Sequence, residues 1–407
     1  MKTISFIQPS RNNLKYLKWS YNSIRKNLGY IHEICWADDF SNDGTWEWMN
    51  EMNEKDPNIK IIRNEGPERL GHTILYDKLV DIASNDIIMI YHADMYACPG
   101  VDEEVLKHLE RGTVVSATRI EPPLHPDGPE KILIDFGIEP EEFKEQELLN
   151  YLNSRDFQRD ETTEGIFAPW VIYKDDFQSI GGHDPLYAPQ SKEDSDIFNR
   201  FVLNGYKLIQ TWTGYVYHMT CRGSRFKDGA LRNPAGQVFM KGRESTEWLE
   251  QNLRSTRNFI RKWGHMVQHD EYMKPIIPPK YDVGFKVHNT DQDSLRELEP
   301  WCNCIYLDYG AIGKYAHEYG KEEQPNTSFD LDERIKMYGN ADITDYHDIV
   351  VEFDAQKLTQ ENFQTIVNLS KLLQDSGEIG EMEYDIFKFY IKSLDIYEKD
   401  LIFCKTK

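Results

Sequence analysis

The first hundred residues alternate between two hydrophobic periods. "TISFIQPS" and "HEICWADDF" are short apolar runs that predict strands. "NLKYLKWSYNSIRKNLG", closed by Gly29, and "GTWEWMNEMNEK" space their apolar residues three and four apart and predict amphipathic helices. "IKIIRNEG" then predicts a strand, "GHTILYDKLVDIAS" a helix and "DIIMIYHAD" a strand. Such alternation predicts an α/β fold with a mainly parallel sheet and helices on both faces, and ligands of such sheets bind outside the carboxyl ends of the strands. Three of the strands end in polar clusters, Gln8-Pro9-Ser10, Asp38-Asp39 and His92-Ala93-Asp94, which are predicted to converge on one crevice.

Further along, "GTVVSATRIEPPL" predicts a strand and "EPEEFKEQELLNYLNSRD" an acidic helix. "GIFAPWVIYKDDFQSIGGHDPLY" reads as strand, short helix and glycine turn, and "SKEDSDIFNRFVLNGYKL" as a helix from near Glu193 to Gly205. "IQTWTGYVYHMTCRGSRF" is a strand running into a basic loop, and between Cys221 and Lys262 Arg and Lys outnumber Asp and Glu. The Pro-rich "YMKPIIPPKYDVG" reads as a linker. Beyond it, "HDIVVEFD" and "TQENFQTIVNLSKLLQDSG" predict a strand and helical turns of a separate α/β element.

Composition narrows the function classes. A chain of 407 residues is long enough for two or three domains. Its net charge of −22, from 47 basic and 69 acidic residues, repels nucleic acid and anionic membranes at long range. The apolar run in "MKTISFIQPSRNN" is too short for a signal peptide, and no segment approaches the roughly 20 apolar residues of a membrane span. Six cysteines (Cys35, Cys98, Cys221, Cys302, Cys304 and Cys404) are scattered without a CxxC pair. Together these features predict a soluble, cytoplasmic protein with reduced thiols.

Candidate chemistry sits where the strands end. Of the adjacent acids Asp38 and Asp39, one can cap its turn while the other accepts a hydrogen bond from a ligand; Asp43 reads as a helix cap. In a continuing strand His92 and Asp94 would face the same side, and an imidazole with a carboxylate suits Mn²⁺ or a similar divalent ion. His218, which closes "TGYVYHM", adds a second histidine. Glu193, Asp194 and Asp196 open a helix; the helix dipole accounts for one or two of them, and one is a candidate general base. Arg222 and Arg225, just after His218, are candidates for a diphosphate clamp.

In their order along the chain, "FIQPSRNN", "ADDFSNDGT", "NEGPERLGHT", "YHADMY", "FQSIGGHDPLY", "EDSDIFNR" and "YVYHMTCRGS" resemble the family 2 inverting glycosyltransferases, nucleotide-sugar enzymes of the GT-A fold. The resemblance covers roughly the first 225 residues. It implies a Rossmann-like GT-A catalytic domain over 1–225; beyond it the residue pattern predicts a basic helical or loop segment with the Pro-rich linker over 226–280 and a C-terminal α/β accessory domain over 281–407. The resemblance implies that the base of the donor lies near Pro9, Asp38 and Asp39. Asp94 corresponds to the metal-binding carboxylate of the DxD motif and His218 to a frequent extra ligand. Asp194 corresponds to the catalytic base of the ED motif, Glu193 to its support, and Gly181-Gly182 to the acceptor-side turn. At His92 the family usually carries the first Asp of DxD. The basic loop with Arg222 and Arg225 corresponds to a mobile segment that closes over the diphosphate.

The implied reaction is metal-dependent hexosyl transfer, with Mn²⁺ or Mg²⁺, from a nucleotide-sugar donor to a hydroxyl, with inversion. A UDP-sugar is the first choice of donor, and the acceptor is a saccharide, glycolipid or protein. Two alternatives stay open. One is a glycosyltransferase acting on hydroxylated bases in DNA, through the segment from Arg222 to Lys262 and against the overall acidity. The other is a GT-A binding or scaffold protein without catalysis. The aromatic and acidic "EPWCNCIYLDYGAIGKYAHEYG" reads most plainly as a second core, with an acceptor platform or a homo-oligomer face as the other readings.

Overall fold

The computed structural model describes residues 2–154, 161–220, 230–240, 245–338, 343–398 and 401. The chain divides into two compact units. Met1–Gln251 and His269–Pro275 build the first, and Asn252–Gln268 and Ile276–Phe403 build the second. The segment 226–280, expected as a stretch between domains, is therefore shared between the units.

The first unit opens with β1 (Ile4–Ser10), α1 (Leu14–Asn27), β2 (Glu33–Asp39), α2 (Thr45–Lys55), β3 (Ile59–Asn64), α3 (Gly71–Ile82) and β4 (Ile87–Ile90). There follow β5 (Met95–Ala97), α4 (Val101–His108), β6 (Thr113–Glu121), β7 (Lys131–Leu133), α5 (Glu145–Ser154), β8 (Thr162–Thr163), β9 (Trp170–Tyr173), α6 (Lys174–Ser179), α7 (Glu193–Leu203) and β10 (Lys207–His218). A hairpin of β11 (Ala230–Arg232) and β12 (Val238–Met240) precedes α8 (Thr246–Trp263), within which the division between units falls.

One sheet runs β3-β2-β1-β4-β9-β6-β10-β5, with β7 on β6 and β8 on β10. β1 to β4 pair in parallel, as do β6, β7 and β10, whereas β9, β5 and β8 run antiparallel to their neighbours. Both faces of the central strands are buried, which explains their near-continuous apolar runs. Ile4, Phe6, Ile34, Trp36 and Met89 pack with Leu17 of α1, Met49 of α2 and Val105 of α4. One residue out of step, Ile7, Cys35, Ile88 and Ile90 pack with Leu79 of α3, Phe177 of α6 and Phe201 of α7. The sheet is thus the α/β architecture expected from the period, mainly parallel and flanked by helices.

The expected strand "DIIMIYHAD" is shorter than its pattern. β4 stops at Ile90, a turn carries His92 to Asp94, and β5 pairs antiparallel with the end of β10, Met95 opposite His218. The cause lies in Gln8, which was grouped with the polar strand end facing the crevice. Its side chain is buried, accepts from Trp36 Nε1 at 2.7 Å, and donates to the His92 carbonyl at 3.0 Å, so it fixes the turn from behind.

The second unit has β13 (Val283–His288), α9 (Gln292–Leu298), β14 (Cys304–Leu307), β15 (Ile335–Met337), β16 (Ile349–Asp354), β17 (Gly380–Tyr384) and β18 (Phe387–Ile391), in the sheet order β15-β14-β13-β16-β18-β17. Phe285, Val287, Ile305 and Val351 pack with Leu295, Tyr319, Ile366 and Leu373 in a single core. At its edge Glu299 is fully buried between Arg261, at 2.6 Å, and Arg334, and it accepts from Tyr319 Oη at 3.0 Å. Glu323 completes the cluster by accepting from Arg257 and Arg261. Two arginines of the basic segment are therefore engaged inside this unit, which removes them from any phosphate-binding surface. Cys302 and Cys304 are buried free thiols. No helix among the described residues is long and apolar enough to cross a membrane.

Candidate functional site

A cavity of about 660 Å³ opens at the carboxyl ends of the strands of the first unit. Pro9, Asp39, His92, Asp94, Asp194 and His218 all line it, so the polar clusters of three separate elements meet there. Asp38 does not line it. Neighbours on a strand point to opposite faces, and Asp38 turns inward, fully buried, where its oxygens accept from Ser41 N at 3.3 and 3.4 Å. Burial raises its pKa, against the pull of the Ser41 hydrogen bonds and Arg63. Asp39 organises the wall: Oδ1 accepts from Leu70 N at 3.0 Å and Asn64 Nδ2 at 2.7 Å, and Oδ2 accepts from Gly71 N at 3.0 Å. It thereby pins the start of α3. Gly71 has φ 73°, and a Cβ there would lie 2.0 Å from the Pro189 carbonyl oxygen, so only glycine fits.

The antiparallel pairing of β5 with β10 sets His218 beside Asp94. His218 Nε2 lies 3.3 Å from Asp94 Oδ1 and 3.4 Å from His92 Nδ1, and the ligand atoms of all three residues fall within 4.8 Å of one another. On its other side His218 Nδ1 donates to Glu121 Oε1 at 2.7 Å. Burial works against a charge on His218, but Asp94 and Glu121 hold its pKa above the usual value. Burial and the neighbouring His218 push His92 down to about 3, so it is a neutral imidazole with a lone pair to offer. Glu121, although buried, is held well below the carboxylate range by Arg119, His218 and Lys131. Two nitrogens and a carboxylate oxygen facing one another fit a divalent cation.

α7 supplies the acids, entered through Ser191 and Lys192, both in the left-handed region at φ 82° and 73°. The three acids separate. Asp196 faces the interior and pairs with Arg200 Nε at 2.8 Å, while the same guanidinium donates to the carbonyls of Ile180 and Gly182. This clamps the Gly181-Gly182 turn, both of whose residues have positive φ. Glu193 is buried and meets His72 Nε2 at 2.5 Å; burial would raise its pKa, but the imidazole lowers it. Asp194 faces the cavity with its pKa pushed up to about 6, by burial first and then by the charge of Glu193. A half-buried carboxylate with that pKa is ionised near neutrality and basic enough to take a proton.

Several residues here escaped the sequence analysis. Glu121 ends β6, so the strand-end rule applied to the other three strands would have found it. His72 had only its place after Gly71, because its partner lies 121 residues away. Arg11, Arg69, Arg119, Phe167 and Trp248 also line the cavity. Arg222 and Arg225 lie outside the described residues. A second group of potential ligands, Glu104, His108 and Glu161, has both its carboxylates paired with Lys107, which answers their charge.

Residues 5–179 match the sequence model of Glycosyl transferase family 2. That match lies wholly within the first unit. Among solved structures, GalNAc-T7 with UDP, GalNAc and Mn²⁺ aligns at 15% identity over 67% of this chain and 49% of that one, with a TM-score of 0.45. The mannosyltransferase PcManGT from Pyrobaculum calidifontis, in complex with GDP-Man and Mn²⁺, aligns at 15% identity over 62% of this chain and 61% of that one, with a TM-score of 0.41. The chain thus spans half to three-fifths of those two proteins. No curated protein matches it. The matched residues include Pro9, Asp39, His92 and Asp94 of the cavity, whereas Asp194 and His218 lie beyond them.

Proposed function

We propose that the protein transfers a sugar from a nucleotide-diphosphate donor, a UDP-sugar in first choice, to a hydroxyl acceptor with inversion. The observation that carries this reading is one cavity, lined in part by residues that match the family 2 model, that holds both a three-residue cation cluster and a carboxylate with a raised pKa. His92, Asp94 and His218 would hold a divalent ion, Mn²⁺ or Mg²⁺ in the family's pattern. When bound there, such an ion supplies Lewis-acid stabilisation of the departing diphosphate.

The chain's own groups do the rest. Pro9 and Asp39 border the cavity and would receive the base, with the backbone contacts of Asp39 holding that wall. Asp194 takes the proton of the acceptor hydroxyl on a carboxylate oxygen as that hydroxyl oxygen forms its bond to the anomeric carbon. The bond from that carbon to the diphosphate oxygen breaks on the opposite face, which inverts the centre. Glu193, fixed by His72, stays ionised and keeps Asp194 basic. The acceptor is a saccharide, glycolipid or protein; the net charge of −22 and the internal pairing of Arg257 and Arg261 disfavour DNA.

A panel of UDP- and GDP-sugars, incubated with the full chain and Mn²⁺ and followed by nucleoside-diphosphate release, tests the reading. Consumption of one donor by the wild type and not by Asp194→Asn supports it, and the anomeric coupling constant of the product reports inversion. A panel in which no donor is consumed and no nucleotide binds refutes it.

A further inference from the structure

The cation cluster has more to say about which ion it takes. Its donors are two imidazole nitrogens, His92 Nδ1 and His218 Nε2, and one carboxylate, Asp94. The His218 ring and the His92 backbone are held in place before any ligand arrives. Glu121 can only accept, so the 2.7 Å contact commits the Nδ1 proton of His218 to Glu121 and leaves Nε2, which faces His92 and Asp94, as the nitrogen that can give its lone pair to an ion. Glu121 is itself fixed by Arg119 at 3.3 Å and Lys131 at 3.7 Å, and Arg119 reaches Glu130 at 3.0 Å, all of them buried or nearly so. The His92 backbone is tied to Gln8.

We infer that this is a nitrogen-rich site that selects a first-row transition ion over Mg²⁺, with His92 as the residue that sets the selectivity and Glu121 as the residue that positions His218. The inference rests on the functional reading of the same cavity. Mg²⁺ demands near-octahedral oxygen coordination and gives up its waters reluctantly, so two imidazoles are poor partners for it. Imidazole suits the later divalent ions, whose affinity for nitrogen sites rises from Mn²⁺ through Co²⁺. An outer carboxylate that orients a ligating histidine and raises its basicity is worth about 10- to 100-fold in metal affinity.

The test is calorimetric titration of the metal-stripped full chain, without nucleotide, with MgCl₂, MnCl₂, CoCl₂ and ZnCl₂, together with the visible spectrum of the Co²⁺ form. One saturable site should bind Zn²⁺ and Co²⁺ more tightly than Mn²⁺, and Mg²⁺ most weakly. His92→Asp, which swaps nitrogen for oxygen, should narrow the Co²⁺ to Mg²⁺ ratio by about 10-fold or more, since a direct ligand counts for at least as much as an outer partner. Glu121→Gln should weaken Co²⁺ by about 10- to 100-fold, and His92→Asn, which leaves the charge network behind His218 intact, should shift the Co²⁺ bands. Mg²⁺ binding as tight as Co²⁺ binding in the wild type, or a Co²⁺ to Mg²⁺ affinity ratio unchanged in His92→Asp, overturns the inference. Turnover of a nucleotide sugar plays no part in these readouts. A chain with the predicted order and no transferase activity keeps the site and loses the enzyme reading, and an active enzyme indifferent between Mg²⁺ and Co²⁺ does the reverse.

Discussion

Replacing Asp194 by Asn removes the one carboxylate that faces the cavity from α7 while keeping its size and its place at the helix start. A positioned general base contributes about 10²- to 10⁴-fold, so the variant should lose about 3–5 kcal/mol of transition-state stabilisation. The pH dependence follows from the same geometry. Burial and the charge of Glu193 raise the Asp194 pKa to about 6, and a general base acts in its ionised form. The rate should therefore be flat above pH 7 and fall about tenfold per unit as pH drops below about 6. The assay is the initial rate of nucleoside-diphosphate release at saturating donor from pH 4.5 to 8, with ion occupancy checked at each pH. In Asp194→Asn the residual rate should lack this acid limb. A variant that keeps a tenth or more of the wild-type rate, or that keeps the limb near 6, would show that another group takes the proton.

Other expectations follow from named contacts. Glu193→Gln removes the negative charge beside Asp194, so the acid limb should move below 6; a limb that stays put would show that Glu193 does not tune the base. Gly71→Ala puts a Cβ onto the Pro189 carbonyl at φ 73°, and the left-handed backbone alone should cost about 1–3 kcal/mol in denaturant unfolding; an unchanged midpoint would contradict the close approach. In the second unit, Glu299→Gln leaves Arg261 and Arg334 facing a neutral group in a buried site and should cost about 3–5 kcal/mol. Arg334 and Arg261 outweigh burial and depress the Glu299 pKa from 4.5 to about 2. The corresponding contribution, about 3 kcal/mol, is present above pH 4.5 and is lost as pH falls toward 2. An acid transition identical in wild type and Glu299→Gln would refute it.

Local pattern carried the order of strands and helices because each central strand is buried on both faces and each helix on one, so burial writes its own period into the chain. It also marked His92, Asp94 and His218 and the acids that open α7 as candidates, since polar residues at the carboxyl end of a buried strand or the start of a helix stand out against that period, while the choice of Asp194 among those acids came from the family resemblance. Pairings across long separations were hidden. The break of β4 at Ile90 depends on Gln8 holding the His92 carbonyl and on β5 pairing with β10, and neither leaves a mark in "IIMIYHAD". Asp38 and Asp39 look alike in sequence, and the pleat alone turns one inward and the other toward the cavity. The basic stretch to Lys262 looked like a cationic surface because the acids that neutralise Arg257 and Arg261 lie at Glu299 and Glu323, in a later part of the chain.

The central claim is that a nucleotide diphosphate binds at these strand ends through a cation held by Asp94 and its two histidines. Calorimetric titration of UDP, and then GDP, into the full chain with Mn²⁺ or with EDTA, repeated on Asp94→Ala, tests it most directly. The account predicts saturable binding that needs the ion and is lost in the variant. Binding that survives both EDTA and Asp94→Ala, or no binding of either nucleotide under any condition, would contradict it.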